Sequence, residues 1–326
     1  MEGLKIRFFS DSFKSKRASH RLRGDVTSAA LRELGYDAKV VTNFDDIDKN
    51  TIVIFLKRSL PPSIIRAKQI GAKTVYDLCD NKFDEKEEYG PNCQLVDIVS
   101  VNSEQMAIST KKNTRLNSII MPDPFERPVL PPRFKPNKTL NILWFGSQSS
   151  LGFFPIVEIW QRLEAEIGNY HYHMIMSKPD RLKNKMQKRI DKGEIKGVNL
   201  DRVFMYEWDW NLQGKLLSEC DIVLMPVMTE NYRTDTKSAN RLIDSLISGK
   251  WVITSPLASY IEFYNYTWQD ENYIEGIRWA INHPEKVIAK IAQGQAHTIN
   301  NYSAKHLAGK WIKEILKELK WEAQTI

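Results

Sequence analysis

Short runs that are apolar almost end to end recur along this chain, each followed by a helix-length stretch with apolar residues three and four apart. Thr51-Ile-Val-Ile-Phe-Leu56, Ile98-Val-Ser-Val101, Leu140-Asn-Ile-Leu-Trp-Phe145 and Ile222-Val-Leu-Met225 are the clearest. A strand that is apolar on both faces must be covered on both faces, which βαβ crossovers achieve and a single solvated antiparallel sheet does not. The pattern therefore points to an α/β chain with parallel, doubly wound sheets. Lys5–Phe9, Ala38–Val41 and Lys73–Asp77 extend it in the first half, Tyr172–Met176 and Arg202–Met205 in the second. Helices are expected over Gly24–Leu34, Pro155–Ile167 and Leu212–Ser218.

The alternation is interrupted once. Residues 121–138 hold six of the 14 prolines, a composition that suits an interdomain linker. With 326 residues and 42% hydrophobic content, two cores are affordable. The expected division is a first Rossmann-like domain over 1–125, a linker over 126–138, a second Rossmann-like domain over 139–304, and an amphipathic C-terminal helix within 305–326. The three cysteines, Cys79, Cys93 and Cys220, have neither zinc-site nor disulfide-framework spacing, which fits a reducing compartment. No apolar run approaches the ~18 residues of a membrane span, and the first residues do not resemble a signal peptide. A cytoplasmic protein, in solution or peripheral at the inner membrane surface, is expected.

The stretch Lys237–Pro256 compresses a basic pair, a helix, a glycine stop and a strand into twenty residues. Leu242, Leu246 and Ile247 share a helical face, while Lys237, Asn240, Arg241 and Asp244 cluster at the start, where backbone N–H groups and the helix dipole attract anions. Gly249 ends the helix, and Trp251–Thr254 reads as a buried strand. Two readings stand: a diphosphate clamp, or a surface helix with an ordinary solvated charge run.

This order of basic residues, helix, carboxylate, glycine and apolar strand resembles the donor site of GT-B glycosyltransferases, particularly the glycogen-synthase-like retaining group. The resemblance extends over nearly the whole chain through the order of its elements. It implies two Rossmann-like domains with a cleft between them and a C-terminal crossover helix. Asp244 falls where that group carries the second Glu of a paired signature, which implies a bond to the donor ribose. The first Glu of the pair is absent; Thr236 occupies its position, with Asp235 beside it. By the same resemblance Lys237 and Arg241 neutralise the diphosphate of a nucleoside diphosphate sugar. That sugar nucleotide is a co-substrate; no bound cofactor is expected.

In open parallel sheets ligands gather beyond the carboxyl ends of the strands. Gly146, Ser147 and Gln148 follow the strand ending at Phe145 and are a candidate phosphate loop, or a common turn. Trp208 offers a flat face to a nucleobase, or is a core residue. Arg233 and Asp235 are candidates for sugar hydroxyls. In the first domain His20 lies in the basic stretch 10–24, as a proton acceptor, a phosphate ligand or a plain surface residue. Asp77 and Asp80 end a strand as candidate bases or helix caps. The remaining histidines lack ligand spacing, and no metal is expected.

Net charge is +7, and residues 1–137 carry 23 Lys+Arg against 18 Asp+Glu, the more basic half. Lys14, Lys16, Arg17, Arg21 and Arg23 concentrate near the start, and a second run covers Lys178–Lys196; such runs attract phosphate-rich partners or are solvated faces. The expected activity is glycosyl transfer to a hydroxyl on an anionic acceptor; the resemblance implies retention, and an inverting route with Asp80 or His20 as base is the alternative. That acceptor is a lipid-linked or envelope glycan, with a peripheral membrane contact. A DNA-modifying transferase acting on a hydroxymethylated base is the alternative nucleic-acid reading, with a sugar-nucleotide epimerase and a non-catalytic sugar-binding module as further rivals.

Overall fold

The computed structural model describes all residues except 1–2, 13, 15–16, 58, 85–88, 137, 148–152, 228–234 and 322–326. The chain divides into two compact units. Unit 1 comprises Met1–Glu126, Asp235–Asn240 and Asn300–Ile326; unit 2 comprises Arg127–Thr234 and Arg241–Ile299.

Unit 1 is built on a six-stranded sheet: β1 (Lys5–Phe9), β2 (Asp37–Val41), β3 (Thr51–Leu56), β4 (Lys73–Leu78), β5 (Ile98–Val101) and β6 (Ser118–Ile120), ordered β2-β1-β3-β4-β5-β6 with every pair parallel. The expected strands are present, with β3 and β5 at their expected limits. β3 is buried at all six positions, as its unbroken apolar sequence demands, whereas edge strand β2 has alternating exposure. Helices α1 (Thr27–Glu33), α2 (Pro61–Ile70), α3 (Tyr89–Leu95) and α4 (Glu104–Thr114) connect the strands. Asp11 begins α2 by accepting from the Leu60 N–H at 2.9 Å and the Ser63 hydroxyl at 2.6 Å. Helical structure before α1 starts earlier than expected: a turn at Ala18–His20 runs into a π-helical segment, Arg21–Val26. The stretch expected to be a loop up to Gly24 is therefore partly helix, because Leu22, Arg23 and Gly24 turn inward.

Unit 2 repeats the scheme with β7 (Leu140–Phe145), β8 (Tyr170–Met176), β9 (Val203–Glu207), β10 (Ile222–Met225), β11 (Trp251–Thr254) and β12 (Trp268–Gln269), ordered β12-β11-β10-β7-β8-β9, again all parallel. The helices are α5 (Phe153–Glu166), α6 (Pro179–Asp191), α7 (Trp210–Glu219), α8 (Asn240–Ile247), α9 (Tyr273–Asn282) and α10 (Pro284–Tyr302). Trp144, Trp160, Tyr172, Met174, Ile277 and Ile291 fill one core, where burying each such side chain stabilises by roughly 1.5–3 kcal/mol. Phe134, from the proline-rich stretch, belongs to that core. The same stretch is pinned to unit 2: the Leu130 N–H donates to the Ile247 carbonyl at 3.0 Å, the Arg133 N–H to that of Gly249 at 3.1 Å. This part of the expected linker is thus bound chain, since its amides take up carbonyls at the end of α8.

The last helix, α11 (Ala304–Glu318), lies within unit 1, where Trp311 packs on Phe8 with ring centroids 6.1 Å apart and its indole N–H donates to the Ser100 hydroxyl at 3.0 Å. Among the described residues no helix is long and apolar enough to cross a membrane.

Candidate functional site

Strand order locates the candidate site in each unit. In unit 2 the chain leaves β7 to one side and returns to β10 on the other, so β7 and β10 flank the point where the order reverses. Gly146 follows β7 there with φ of +154°, and its N–H donates to the Ile175 carbonyl at 3.1 Å. Arg241, in the first turn of α8, reaches back and donates from Nη1 to the Phe145 carbonyl at 3.1 Å. A Cβ on Gly146 would stand 2.7 Å from that Nη1. Sequence reasoning selected the glycine and the arginine separately; the fold brings them into contact.

Helix α8 buries Leu242, Leu246 and Ile247 completely, as their spacing predicts, and Gly249 ends it at φ +70°. Asp244 is also buried on this helix. Thr254 and Ser255 secure the carboxyl ends of β10 and β11: the Thr254 hydroxyl donates to the Met225 carbonyl at 3.0 Å, and the Ser255 hydroxyl accepts from the Val227 N–H at 2.8 Å. Trp208 follows β9, half-buried, with its indole N–H donating to Gln213 Oε1 at 2.8 Å. Trp210 is occupied structurally, its ring lying 3.5 Å from the Arg127 guanidinium carbon. Asp209 between them caps α7 by accepting from the Leu212 N–H at 2.8 Å.

In unit 1 the order reverses between β1 and β3. The groups gathered beyond β1, β3 and β4 are mostly committed to one another. Arg23, 2% exposed, donates from Nε and Nη2 to the two carboxylate oxygens of Asp77 at 2.8 and 2.6 Å, and bonds the Met121 carbonyl. Burial opposes the Arg23 charge, but the Asp77 carboxylate offsets this and leaves its pKa above the ordinary guanidinium value. Asp123 lies beside Arg23, and burial raises its pKa against the pull of that cation and of a hydrogen bond from Ser238. Asp80 forms an ion pair with Lys57, which follows β3.

His20 is buried, and its Nδ1 accepts the Lys14 N–H at 2.8 Å. In the neutral ring this places the proton on Nε2, so His20 suits a hydrogen-bond donor more than a base. Neither is it the plain surface residue that a basic loop suggests.

No family model matches the sequence, and no curated protein does. Solved structures do match in three dimensions. A glycosyltransferase from Rickettsia africae ESF-5 aligns with a TM-score of 0.69 at 14% identity, covering 99% of this chain and 100% of that one. Anabaena Alr3699/HepE, solved in complex with UDP-glucose, gives 0.69 at 10% identity over 96% of this chain and 100% of the other. TarM gives 0.62 at 14% identity over 82% of this chain, which spans about half of TarM's length, 55% being covered. The chain has the GT-B fold. The two six-stranded parallel sheets are its two Rossmann-like halves.

Within the GT-B frame the expected residues distribute as follows. Gly146, Ser147, Trp208, Arg241 and Asp244 belong to unit 2; His20, Asp80, Asp235, Lys237 and Asn240 belong to unit 1. Asp235 and Ser147 are exposed, Lys237 and Asn240 half-buried. Gln148 and Arg233 lie outside the described residues. The basic cluster near the start is not a free anionic-ligand surface throughout: Arg21 pairs with Glu126 at 2.6 Å and Arg23 with Asp77. Ser238 lies inside the Lys237–Pro256 stretch and Asp123 inside the proline-rich one, and nothing in the sequence links the two. Among the described residues no group of three His, Cys, Asp or Glu is placed to hold a metal ion.

Proposed function

We propose that this chain is a glycosyltransferase that moves a sugar from a nucleoside diphosphate sugar to a hydroxyl acceptor, unit 2 taking the donor and unit 1 serving the acceptor side. The observation that carries the reading is Arg241 lodged against Gly146 at the reversal point of unit 2, beside the N-terminus of α8. A guanidinium, backbone N–H groups and a helix N-terminus converging where a Rossmann-like sheet binds phosphate suit a departing diphosphate. Lys237 and Asn240, immediately before Arg241, add a second cation and an amide. The charge of the leaving group is met by these residues, without a bound metal. Trp208 stacks on the base, and Asp244 orients the ribose. The similarity to HepE, which was solved with UDP-glucose and with UDP, makes uridine the first base to test.

The resemblance to the glycogen-synthase-like group supports retention at the anomeric carbon, with Asp235 next to the position of the absent Glu. His20 donates to a phosphate or hydroxyl oxygen, and Asp80, released from Lys57, contacts the acceptor. The acceptor is anionic, in keeping with the basic first half of the chain, and is met at the cytoplasmic face of a membrane. Incubation with UDP-, GDP- and ADP-sugars, followed by nucleoside diphosphate release, tests the activity. Release of none of the three diphosphates, with no melting-temperature response to them, removes the reading. The anomeric configuration of the product by NMR tests retention; an inverted product overturns it.

A further inference from the structure

Helix α6 is covered along one side only. Pro179 and Met186 are buried, and Leu182 and Ile190 pack against the core of unit 2. The opposite side carries cations: Arg181, Lys185, Lys188 and Lys192, all exposed, follow one another at four, three and four residues and so form one stripe, which Lys178 continues three residues further back. Residues 178–196 hold eight Lys+Arg against three Asp+Glu, an excess of five where the whole chain has +7. The acidic residues of the helix, Asp180 and Asp191, are eleven apart and share a different face.

An ordinary solvated helix gains by setting opposite charges three or four residues apart. Here Arg181 and Lys185, Lys185 and Arg189, and Lys188 and Lys192 set like charges at that spacing, which costs the helix stability. Among the described residues Arg181, Lys188 and Lys192 form no ion pair, while Arg189 meets Glu194 at 3.6 Å. The stripe also has a direction. Strands β8 and β9 are parallel neighbours, so the helix joining them runs back from the carboxyl end of the sheet. It starts there beside Trp208: the Trp208 N–H donates to the Met176 carbonyl at 2.9 Å, and the Lys178 N–H to Glu207 Oε2 at 2.9 Å. From that end the stripe extends ~20 Å with a cation every ~5 Å, an interval close to one pyranose unit of an extended glycan. No large apolar side chain is exposed on α6 to enter a bilayer, and no aromatic ring to stack on bases.

We propose that the α6 stripe is a docking surface for a linear anionic glycan with about one negative charge per sugar, the chain that bears the acceptor hydroxyl. The choice of a glycan rests on the glycosyltransferase reading; the inference adds where on unit 2 that chain lies. Each exposed cation contributes little alone, but an array matched to the spacing of the ligand's charges acts on the whole chain, and the release of counterions makes the binding salt-dependent.

The test is calorimetric titration with a linear oligogalacturonate long enough to cover the ~20 Å stripe. It compares wild type, the Arg181→Gln/Lys188→Gln/Lys192→Gln variant, and a control that removes the same charge from exposed positions of unit 1, Lys111→Gln/Lys112→Gln/Lys313→Gln. Wild type and control are expected to bind alike, more weakly as salt rises, and the stripe variant at least about tenfold less well, with an unchanged melting temperature and unchanged affinity for UDP, GDP and ADP. No binding by wild type, an equal loss in both variants, or a stripe that holds oligo(dT) or phosphatidylglycerol vesicles more tightly than the glycan overturns the inference. Glycan binding through the stripe by a protein that binds none of the three diphosphates removes the glycosyltransferase reading and leaves the docking surface standing.

Discussion

The Nη1 of Arg241 lies 2.7 Å from the point where a Cβ on Gly146 would stand, so the guanidinium occupies space that only a glycine leaves open. Position 146 also has φ of +154°, which side-chain-bearing residues rarely adopt. Gly146→Ala is therefore expected to act twice: it strains the turn after β7 and pushes Arg241 off the Phe145 carbonyl. A stability loss of about 1–3 kcal/mol and nucleoside diphosphate binding weakened at least tenfold are expected. Calorimetric titration together with urea unfolding checks both. A variant that binds as wild type does would show that Arg241 is not needed at this place.

Arg241 itself separates charge from packing. Its charge-assisted hydrogen bonds to a phosphate are worth about 1.5–3 kcal/mol, so Arg241→Ala should weaken UDP binding roughly 10- to 100-fold. Arg241→Lys keeps the charge but loses the planar fork, and an intermediate loss is expected. Equal affinities for all three proteins in the titration would sink the clamp.

Why these two residues could be chosen from the sequence, and their contact could not, has a physical reason. Gly146 and Arg241 each sit at a boundary that local pattern announces: the end of an apolar strand and the start of an amphipathic helix. β3, β5, β7, β10 and β11 were legible to the residue because strands buried on both faces are written as continuous apolar runs. The π-helical segment Arg21–Val26 was not: it holds Arg23, buried against Asp77, and that pairing of residues 54 positions apart is announced by no local pattern. β6 and β12 are short and half-exposed, and pairing with a neighbouring strand rather than composition makes them strands. The link between Asp123 and Ser238 escaped for the same reason: it joins two distant stretches of the chain, and no spacing rule encodes it.

Gly249 shows how the proline-rich stretch is fitted to α8. It ends the helix at φ +70°, and a Cβ there would stand 2.3 Å from the Pro131 carbonyl oxygen, a backbone atom with little freedom to move. The Gln295 amide ties the layers together by donating to the Leu130 carbonyl at 2.7 Å and the Ile247 carbonyl at 2.9 Å. Gly249→Ala should cost at least about 1–3 kcal/mol, visible as a lower urea midpoint. Retention of the wild-type midpoint would mean that the stretch is not held against this turn in solution.

Acid stability should fall in two separable stages. Burial lowers the pKa of His173 to about 4, with the charge of His171 acting in the same direction. The unfolded ring protonates near ~6.5, so the unfolded state gains protons first as pH drops and stability is lost between ~6.5 and about 4. Below that, a second loss belongs to unit 1. A hydrogen bond from Lys39 and one from the buried Arg7 hold Asp46 well below the usual carboxylate range, burial opposing them, and Arg7 does the same for Asp37. Their stabilisation is complete above the unfolded value of ~3.9 and disappears as pH falls through the lowered folded values. His173 stacks on Phe204 and Tyr206 at 5.2 and 6.1 Å, so His173→Phe fills the same space without a titrating group. It should abolish the upper stage and leave the lower one. Asp46→Asn should reduce stability near neutrality, by leaving Arg7 half-paired, and make the lower stage shallower. Urea midpoints measured from about pH 7 down to about 2 decide the matter: a His173→Phe curve running parallel to wild type between pH ~6.5 and about 4 would show that His173 is not the source of the first loss.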